Sequence, residues 1–261
     1  MSQNDHMQRS ERLRVIIRAV SAGPRTIAEL AELTGVSTIS VRRDLADLAE
    51  QGAIERTRGG AAPAPARGSS YPFALRRTEE SATKRALARL AATLVRPGDS
   101  VFLDNGTTAL AVADELAGIG VTALATSLHA AAALAARPGN QVIVPGGPVD
   151  TDDLSFTGPG AAEIVRDMRF DVAIFGACAA HPDSGLTVAG WGDALVKRAA
   201  LAATSRAVLV ATSDKFGRTA AHRFGSYADL DTIVTSSDVD VTVRYEAQQS
   251  GVEVRFAVPD A

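Results

Sequence analysis

Residues 101–110 read VFLDNGTTAL. Three apolar residues run into an acid, an Asn-Gly turn, two threonines and an Ala/Leu pattern. That order predicts a strand, a tight polar loop and a helix start. Such a loop offers backbone N–H groups and hydroxyls at a helix N-terminus, where anions bind well. The layout recurs downstream. Short apolar runs stand at SVFL, VTALA, QVIV, DVAIF, AVLVA, TIVT and VEVRF, several of them separated by helix-length segments. Strands alternating with helices, with glycine-rich loops after the strands, predict an α/β domain with a mostly parallel sheet. Ligands of such sheets bind beyond the carboxyl ends of the strands. The residues there are Asp104, Asn105, Gly106, Thr107 and Thr108, then Thr126 and Ser127, then Pro145, Gly146 and Gly147, then Gly176 and Ala177, then Thr212 to Lys215. Hydroxyls, glycines and a lysine on one edge describe a polar anion pocket, not a metal site or a nucleophile triad.

Upstream the periodicity changes. RLRVIIRAV sets Leu13, Ile16, Ile17 and Val20 on one helical face, and Gly23-Pro24 stops it. TIAELAEL begins at Thr26 with Glu29 three residues on, a capping box. Gly35 turns the chain, Ser37 suits the cap of a third helix, and Val41, Leu45 and Leu48 form that helix's inward stripe. AIERTRGGAA then reads as a short β-wing. Three short helices with a tight turn before the third make a winged helix-turn-helix. On the third helix Ile39, Ser40 and Arg43 face outward near the N-terminus, together with Ser37 and Thr38. That is the part of a recognition helix that reaches base edges. Arg43 suits guanine, Ile39 suits a thymine methyl, and Arg42, Arg56 and Arg58 suit phosphates. AAPAPARGSSYP, residues 61–72, is Pro/Gly/Ser-rich and reads as a linker. The expected organisation is a DNA-binding domain over 8–62, a linker over 63–74 and an α/β domain over 75–261, whose first helix is expected at about 79–94.

The bulk numbers permit this and exclude other classes. The chain has 261 residues, 46% hydrophobic and 22% charged, and a net charge of −3. A chain of that length accommodates a small domain plus a medium one. Residues 1–62 carry 9 Arg against 8 acids, so charge alone does not reveal DNA binding. One cysteine, Cys178, excludes an intramolecular disulfide and a cysteine-cluster metal site, which fits a reducing cytoplasm. His129, His181 and His222 lack ligand-type spacing. The opening MSQNDHMQRSERLR has no apolar signal core, and TALATSLHAAAALAA is too short and polar to span a bilayer. No cofactor and no membrane partner are expected. Only three of the 27 basic residues are lysines, namely Lys84, Lys197 and Lys215. A lysine ammonium is a compact point charge suited to a phosphate in a pocket. Lys84, on the first helix of the α/β domain, is expected at the surface.

Two blocks of sequence carry a family resemblance over nearly the whole chain. GVSTISVRRDLADLAEQGAIERTRGGA is similar to the helix-turn-helix block of the DeoR family of bacterial transcriptional regulators. FLDNGTT, ATSL, VPGG, FDVAIFGA, SGLT, ALVKRA and SDKFG follow in that family's order. The resemblance implies a sensor domain of the ribose-phosphate-isomerase-like fold that binds a phosphorylated sugar or sugar derivative, in a homo-oligomeric repressor of sugar-catabolic genes that is released from operator DNA by that effector. By position it implies a phosphate loop of Asp104, Asn105, Gly106, Thr107 and Thr108, with Thr126, Ser127, Gly146, Gly147, Lys197 and Lys215 completing the pocket. The chain departs from the family at Asn105, where Ser is common, at Thr126, where Asn is common, and at Trp191, placed in a loop just before the helix of Lys197.

Two rival readings stand beside this one. The same fold supports sugar-phosphate isomerases, so fold alone does not decide. An isomerase needs a carboxylate beside C1/C2 of the sugar, for which Asp104, Asp171 and Asp193 are the candidates. Related isomerases resemble this chain but carry glutamate where it has Asp193, and a shift on the order of 1 Å costs ~100-fold. The second rival is a regulator whose sensor domain only oligomerises.

Overall fold

The computed structural model describes residues 9–258 apart from 22, 51–52 and 64–72. They fall into two compact units, one ending at Glu79 and one starting at Glu80. Pro63 ends a strand and Phe73 opens a helix, while residues 64–72, the heart of the expected linker, lie outside the described residues.

The first unit contains α1 (Arg9–Ser21), β1 (Arg25–Thr26), α2 (Ile27–Thr34), α3 (Thr38–Glu50), β2 (Ile54–Thr57), β3 (Gly60–Pro63) and α4 (Phe73–Thr78). The Thr26 hydroxyl accepts from the Glu29 N–H at 3.2 Å, and the Glu29 carboxylate accepts from the Thr26 N–H at 2.7 Å. This reciprocal box satisfies two donors that the start of α2 leaves open. Ile16, Ile17, Val20, Leu30, Val41, Leu45, Leu48 and Ile54 make the core, matching the stripes read from the sequence. The three strands pair antiparallel in the order β1-β3-β2. Gly60 is required by close approach: a Cβ there would lie 2.0 Å from the Arg25 carbonyl oxygen of β1.

The second unit contains α5 (Ser81–Ala92), β4 (Ser100–Leu103), α6 (Thr107–Leu116), β5 (Thr122–Ala125), α7 (Leu128–Leu134), β6 (Gln141–Ile143), α8 (Pro159–Arg166), β7 (Val172–Phe175), β8 (Ala179–His181), β9 (Gly185–Val188), α9 (Trp191–Ala203), β10 (Ala207–Val210), β11 (His222–Gly225), β12 (Thr232–Ser236), α10 (Val241–Gln249) and β13 (Glu253–Ala257). Seven strands form one sheet in the order β13-β12-β10-β7-β4-β5-β6, and every pairing in it is parallel. They are the seven apolar runs of the sequence. Alternate residues serve opposite faces. Val101, Leu103, Val172, Ile174, Val208 and Val210 pack with α5, α6 and α7, while Phe102, Phe175, Leu209 and Ile233 pack with α8, α9 and α10. Burial on both faces is why the inner strands β4, β5, β7, β10 and β12 read as continuous apolar runs, whereas the edge strands β6 and β13 are partly exposed.

Chain direction across the sheet reverses between β4 and β7. From β4 the chain winds out through β5 to β6, then returns to β7 and winds the other way. In sheets of this kind such a reversal marks a crevice, here above the carboxyl ends of β4 and β7.

Several expectations need correction. Strands β8, β9 and β11 form a small antiparallel sheet that the sequence reading passed over. Helix α5 starts at Ser81, and α4 lies in the sequence just before it. Lys84 is buried, at 9% exposure, because it sits on the inward stripe of α5 with Leu87, Ala88 and Ala91. Trp191 is the first residue of α9 rather than a loop residue.

Candidate functional site

The helix-turn-helix presents one face. Gly35 caps α2 at φ 68°, and the Ser37 hydroxyl accepts from the Ser40 N–H at 3.2 Å to start α3. With Val41, Leu45 and Leu48 turned inward, Thr38, Ile39, Arg42 and Arg43 are exposed, Ile39 at 73%. Ser40 is half-buried, because its hydroxyl lies 3.1 Å from that of Ser37. Arg56 and Arg58 are exposed on the wing. Sequence reasoning missed Asp44. Its buried carboxylate accepts from Arg12 Nε at 2.7 Å and Nη2 at 3.3 Å. It thereby fastens α1 to the back of α3 and sets the angle at which Arg42 and Arg43 are presented.

In the second unit, the loop after β4 stands at the crevice. Asp104 is fully buried. Its Oδ2 accepts from the Gly176 N–H at 2.7 Å, across the gap to the end of β7. The same oxygen accepts from Lys197 Nζ. Lys197 reaches up from α9 at 2% exposure, also lies 3.4 Å from Asp193 Oδ1, and sits 5.6 Å from the Phe224 ring centroid. Asn105 Nδ2 donates to Asp193 Oδ1 at 3.1 Å. Two carboxylates, one ammonium and one amide thus form a buried network joining β4, β7 and α9. Asp104 Oδ1 has no hydrogen-bond partner.

Burial opposes the Lys197 ammonium, but Asp104 and Asp193 outweigh it and raise its pKa. Burial also pushes the Asp193 carboxyl up to about 6, with Lys197 opposing and Asp104 reinforcing the shift. Lys197 is therefore held as a cation beneath the loop, committed to two carboxylates.

What faces the crevice is largely backbone. Helix α6 starts from Gly106 at φ 98°, α8 from Gly158 at φ 90°, and α9 from Gly190, and no side chain caps any of the three. These N-termini are linked. Asn105, beside Gly106, binds Asp193 in the first turn of α9, and the Gly158 N–H donates to the Gly192 carbonyl at 3.1 Å. The first N–H groups of a helix have no internal acceptor and carry its positive dipole end. Three such ends lie near one another here, an arrangement of the kind that suits an anion. By contrast α7 is closed by Ser127, whose hydroxyl accepts from the His129 N–H at 3.2 Å.

The other sequence-derived residues sort as follows. Thr107 is buried and Thr108 half-buried in the first turn of α6. Thr126 is buried, with its hydroxyl 3.4 Å from the Leu103 carbonyl, and its own carbonyl receives the Phe156 N–H at 2.8 Å. Gly146 and Gly147, both at positive φ, are exposed in the loop beyond β6. Lys215 lies beyond β10, two strands from β4, and donates to Asp214 Oδ2 at 3.0 Å. Asp171 is not at this edge: it stands just before β7 at the opposite end of the sheet, where its carboxylate accepts from Ser100 N at 2.8 Å and Oγ at 2.7 Å. The Gly158-Pro159 pair, a glycine cap followed by proline at the first helical position, is a sequence signal that would have located the second N-terminus.

No helix among the described residues is long and apolar enough to cross a membrane. Comparison with known proteins agrees with both halves of the chain. Residues 20–64 match the DeoR-like helix-turn-helix domain and residues 79–237 the DeoR C-terminal sensor domain. The chain is 30% identical to the HTH-type transcriptional regulator GlpR of Haloferax volcanii, over 94% of this chain and 96% of that protein. It is also 30% identical to the HTH-type transcriptional repressor GlcR of Bacillus subtilis, over 88% and 89%. Its identity to the glycerol-3-phosphate regulon repressor of Escherichia coli is 30%, over 91% and 94%. Among solved structures it is similar to ribose 5-phosphate isomerase A of Methanocaldococcus jannaschii, with a TM-score of 0.39, 20% identity and coverage of 53% of this chain and 55% of that one. The winged helix-turn-helix, the sensor domain and the full-length relatives together establish that this chain belongs to the DeoR family and is a DNA-binding transcriptional repressor.

Proposed function

We propose that the second unit senses a phosphorylated sugar at the crevice above β4 and β7, and that binding releases the first unit from operator DNA upstream of carbohydrate-catabolic genes. The observation that carries this reading is the ring of three uncapped, glycine-started helix N-termini over a buried acid–lysine network. The ring supplies backbone donors for a phosphate. Asp193, partly open to solvent, supplies an acceptor for sugar hydroxyls. Arg43, Ile39 and Thr38 read base edges, while Arg42, Arg56 and Arg58 hold phosphates of the duplex. A single helix-turn-helix makes few contacts, so the active species is a dimer or tetramer joined through the sensor units. Ligand acts as a population shift: it favours the arrangement of sensor units that fits DNA less well.

The sensor is not an enzyme in this reading. Asp193, the carboxylate nearest the crevice, is bonded to Asn105 and Lys197, and Asp104 is enclosed. A proton shuttle needs a carboxylate free to reach the substrate carbon.

The test is fluorescence anisotropy of the purified protein with DNA from upstream of its own gene, at two salt concentrations, with and without a panel of sugar phosphates. Tight, salt-sensitive binding abolished by one sugar phosphate is the expected result. Absence of DNA binding in every condition, with consumption of a sugar phosphate in the same tubes, would replace this reading with the isomerase.

A further inference from the structure

Trp191 is the chain's single tryptophan and is 55% exposed, although it is the largest apolar side chain available for a core. Its backbone is fixed on both sides. Gly190 starts α9 beneath it. Gly192 is wedged against the start of α8: its carbonyl takes the Gly158 N–H, and a Cβ there would lie 2.9 Å from Gly158 N and 3.4 Å from Thr157 Cβ. Asp193, in the same turn, is tied to Asn105 at 3.1 Å. Trp191 therefore opens α9 on a fixed turn at the seam between the α6 and α8 N-termini, beside the proposed anion site. Leu128 and Val144, at the carboxyl ends of β5 and β6, are also exposed apolar residues on this edge of the sheet.

We propose that Trp191 is a stacking platform and that the effector is a sugar phosphate bound in its ring form. This inference rests on the sensor reading above and narrows its ligand class. An indole face carries negative quadrupole charge and attracts the polarised C–H face of a sugar ring, while its flat area covers that face from water. Asp193, two residues on, accepts from hydroxyls at the ring edge, and the helix N-termini take the phosphate. A ring presents the face and the edge together. An acyclic three-carbon phosphate has no face to lay on the indole.

With one tryptophan in the chain, its emission reports this turn alone. The full-length protein is titrated with glucose 6-phosphate, fructose 6-phosphate, N-acetylglucosamine 6-phosphate, glycerol 3-phosphate and inorganic phosphate. Trp191 emission is followed in the parent, and release of operator DNA in the parent, Trp191→Ala and Trp191→Phe. One ring-form sugar phosphate is expected to change the emission at the same midpoint at which it releases DNA. Trp191→Ala should weaken its effect about tenfold, and Trp191→Phe should recover most of that loss. Release by a ring sugar phosphate with the parent's midpoint in Trp191→Ala, and no emission change in the parent, overturns the platform and leaves the sensor reading standing. Glycerol 3-phosphate as the strongest effector, equally potent on Trp191→Ala, overturns the ring-form assignment in the same way. No response to any phosphorylated compound in either readout, with DNA binding intact, overturns both.

Discussion

Lys197→Met is the most informative single perturbation of the sensor unit. Methionine has nearly the length and volume of the lysine stem, so it fills the space beside Phe224 and creates no cavity of consequence. It deletes only the ammonium. The parent ammonium is 2% exposed and faces Asp104, 1% exposed at its side chain, and Asp193, at 18%. Removing one partner of a buried ion pair leaves an uncompensated charge, which costs about 3–5 kcal/mol. A unit of this size loses roughly 2–3 kcal/mol of stability per molar urea, so the midpoint should fall by about 1–2 M. Urea unfolding followed by circular dichroism measures it. Adding Asp104→Asn should return at least half of the loss, because the amide oxygen still accepts from the Gly176 N–H without the stranded charge. The deficit should also shrink towards pH 5, since Asp193, already raised to about 6 by burial, loses its opposing cation and takes up a proton more readily. A Lys197→Met midpoint within about 0.3 M of the parent, at neutral pH, refutes the claim that this lysine compensates the buried Asp104 charge.

Asp193→Asn tests the same site through its pH dependence. A folded pKa of about 6 against 3.8 means that the carboxyl contributes stability below about pH 4 and loses it as pH rises through 6. The parent's stability relative to Asp193→Asn should therefore fall by on the order of 3 kcal/mol between pH 4 and 7, in paired denaturation curves; a flat difference contradicts the shift. In the first unit, Gly60→Ala drives a Cβ to 2.0 Å from the Arg25 carbonyl oxygen, which should part β1 from β3 at a cost of about 2 kcal/mol or more. Its check is a lowered thermal midpoint of that unit with the sensor unit's transition unmoved. Arg43→Ala should weaken operator binding by roughly 1–3 kcal/mol and relax base preference, whereas Arg58→Ala should weaken all duplexes alike, and a competition anisotropy series separates the two. Lys215→Ala should leave operator affinity unchanged and blunt the response to the sugar phosphate that releases the parent. An unaltered response would remove Lys215 from the pocket.

The inner strands were legible because both faces of the sheet are covered there. Every residue of VAIF and AVLV is buried, and such runs stand out from any background. The helix-turn-helix was legible through its stripes and its Thr26–Glu29 box, which are local signals. Strands β8, β9 and β11 were not: at three or four residues they match most strands of the large sheet, but AAH, GLTV and HRFG lack a continuous apolar run, with His181, Gly185, Thr187, His222 and Arg223 among them. The crevice was half legible. The loop after β4 announces itself, and Asp193 and Lys197 at i, i+4 suggest a pair on one helix face. The decisive partner of Lys197 is Asp104, 93 residues earlier in the chain, and no local pattern reports that contact. The same lack of long-range information placed Asp171 beside the site, when the strand direction puts it at the opposite end of the sheet.

Sequestering the lysine divides the labour within the crevice. In the proposed sensor, donors for an anion come from the backbone N–H groups that open α6, α8 and α9, save at Pro159, which has none, and at Gly158, whose N–H is taken by Gly192; these donors do not depend on the identity of any polar side chain. The proposal leaves the side chains at the rim, Asn105, Asp193 and Trp191, to read the rest of the molecule. Exchanging one of them alters which sugar fits without dismantling the proposed anion site, because the helices that aim the N–H groups are anchored below, by Asp104, Gly176 and Lys197. A phosphate contributes binding energy to every candidate sugar, and discrimination is a difference of affinities. On the proposed reading, specificity lies in the three rim residues, and the buried network beneath them sets how rigidly they are held.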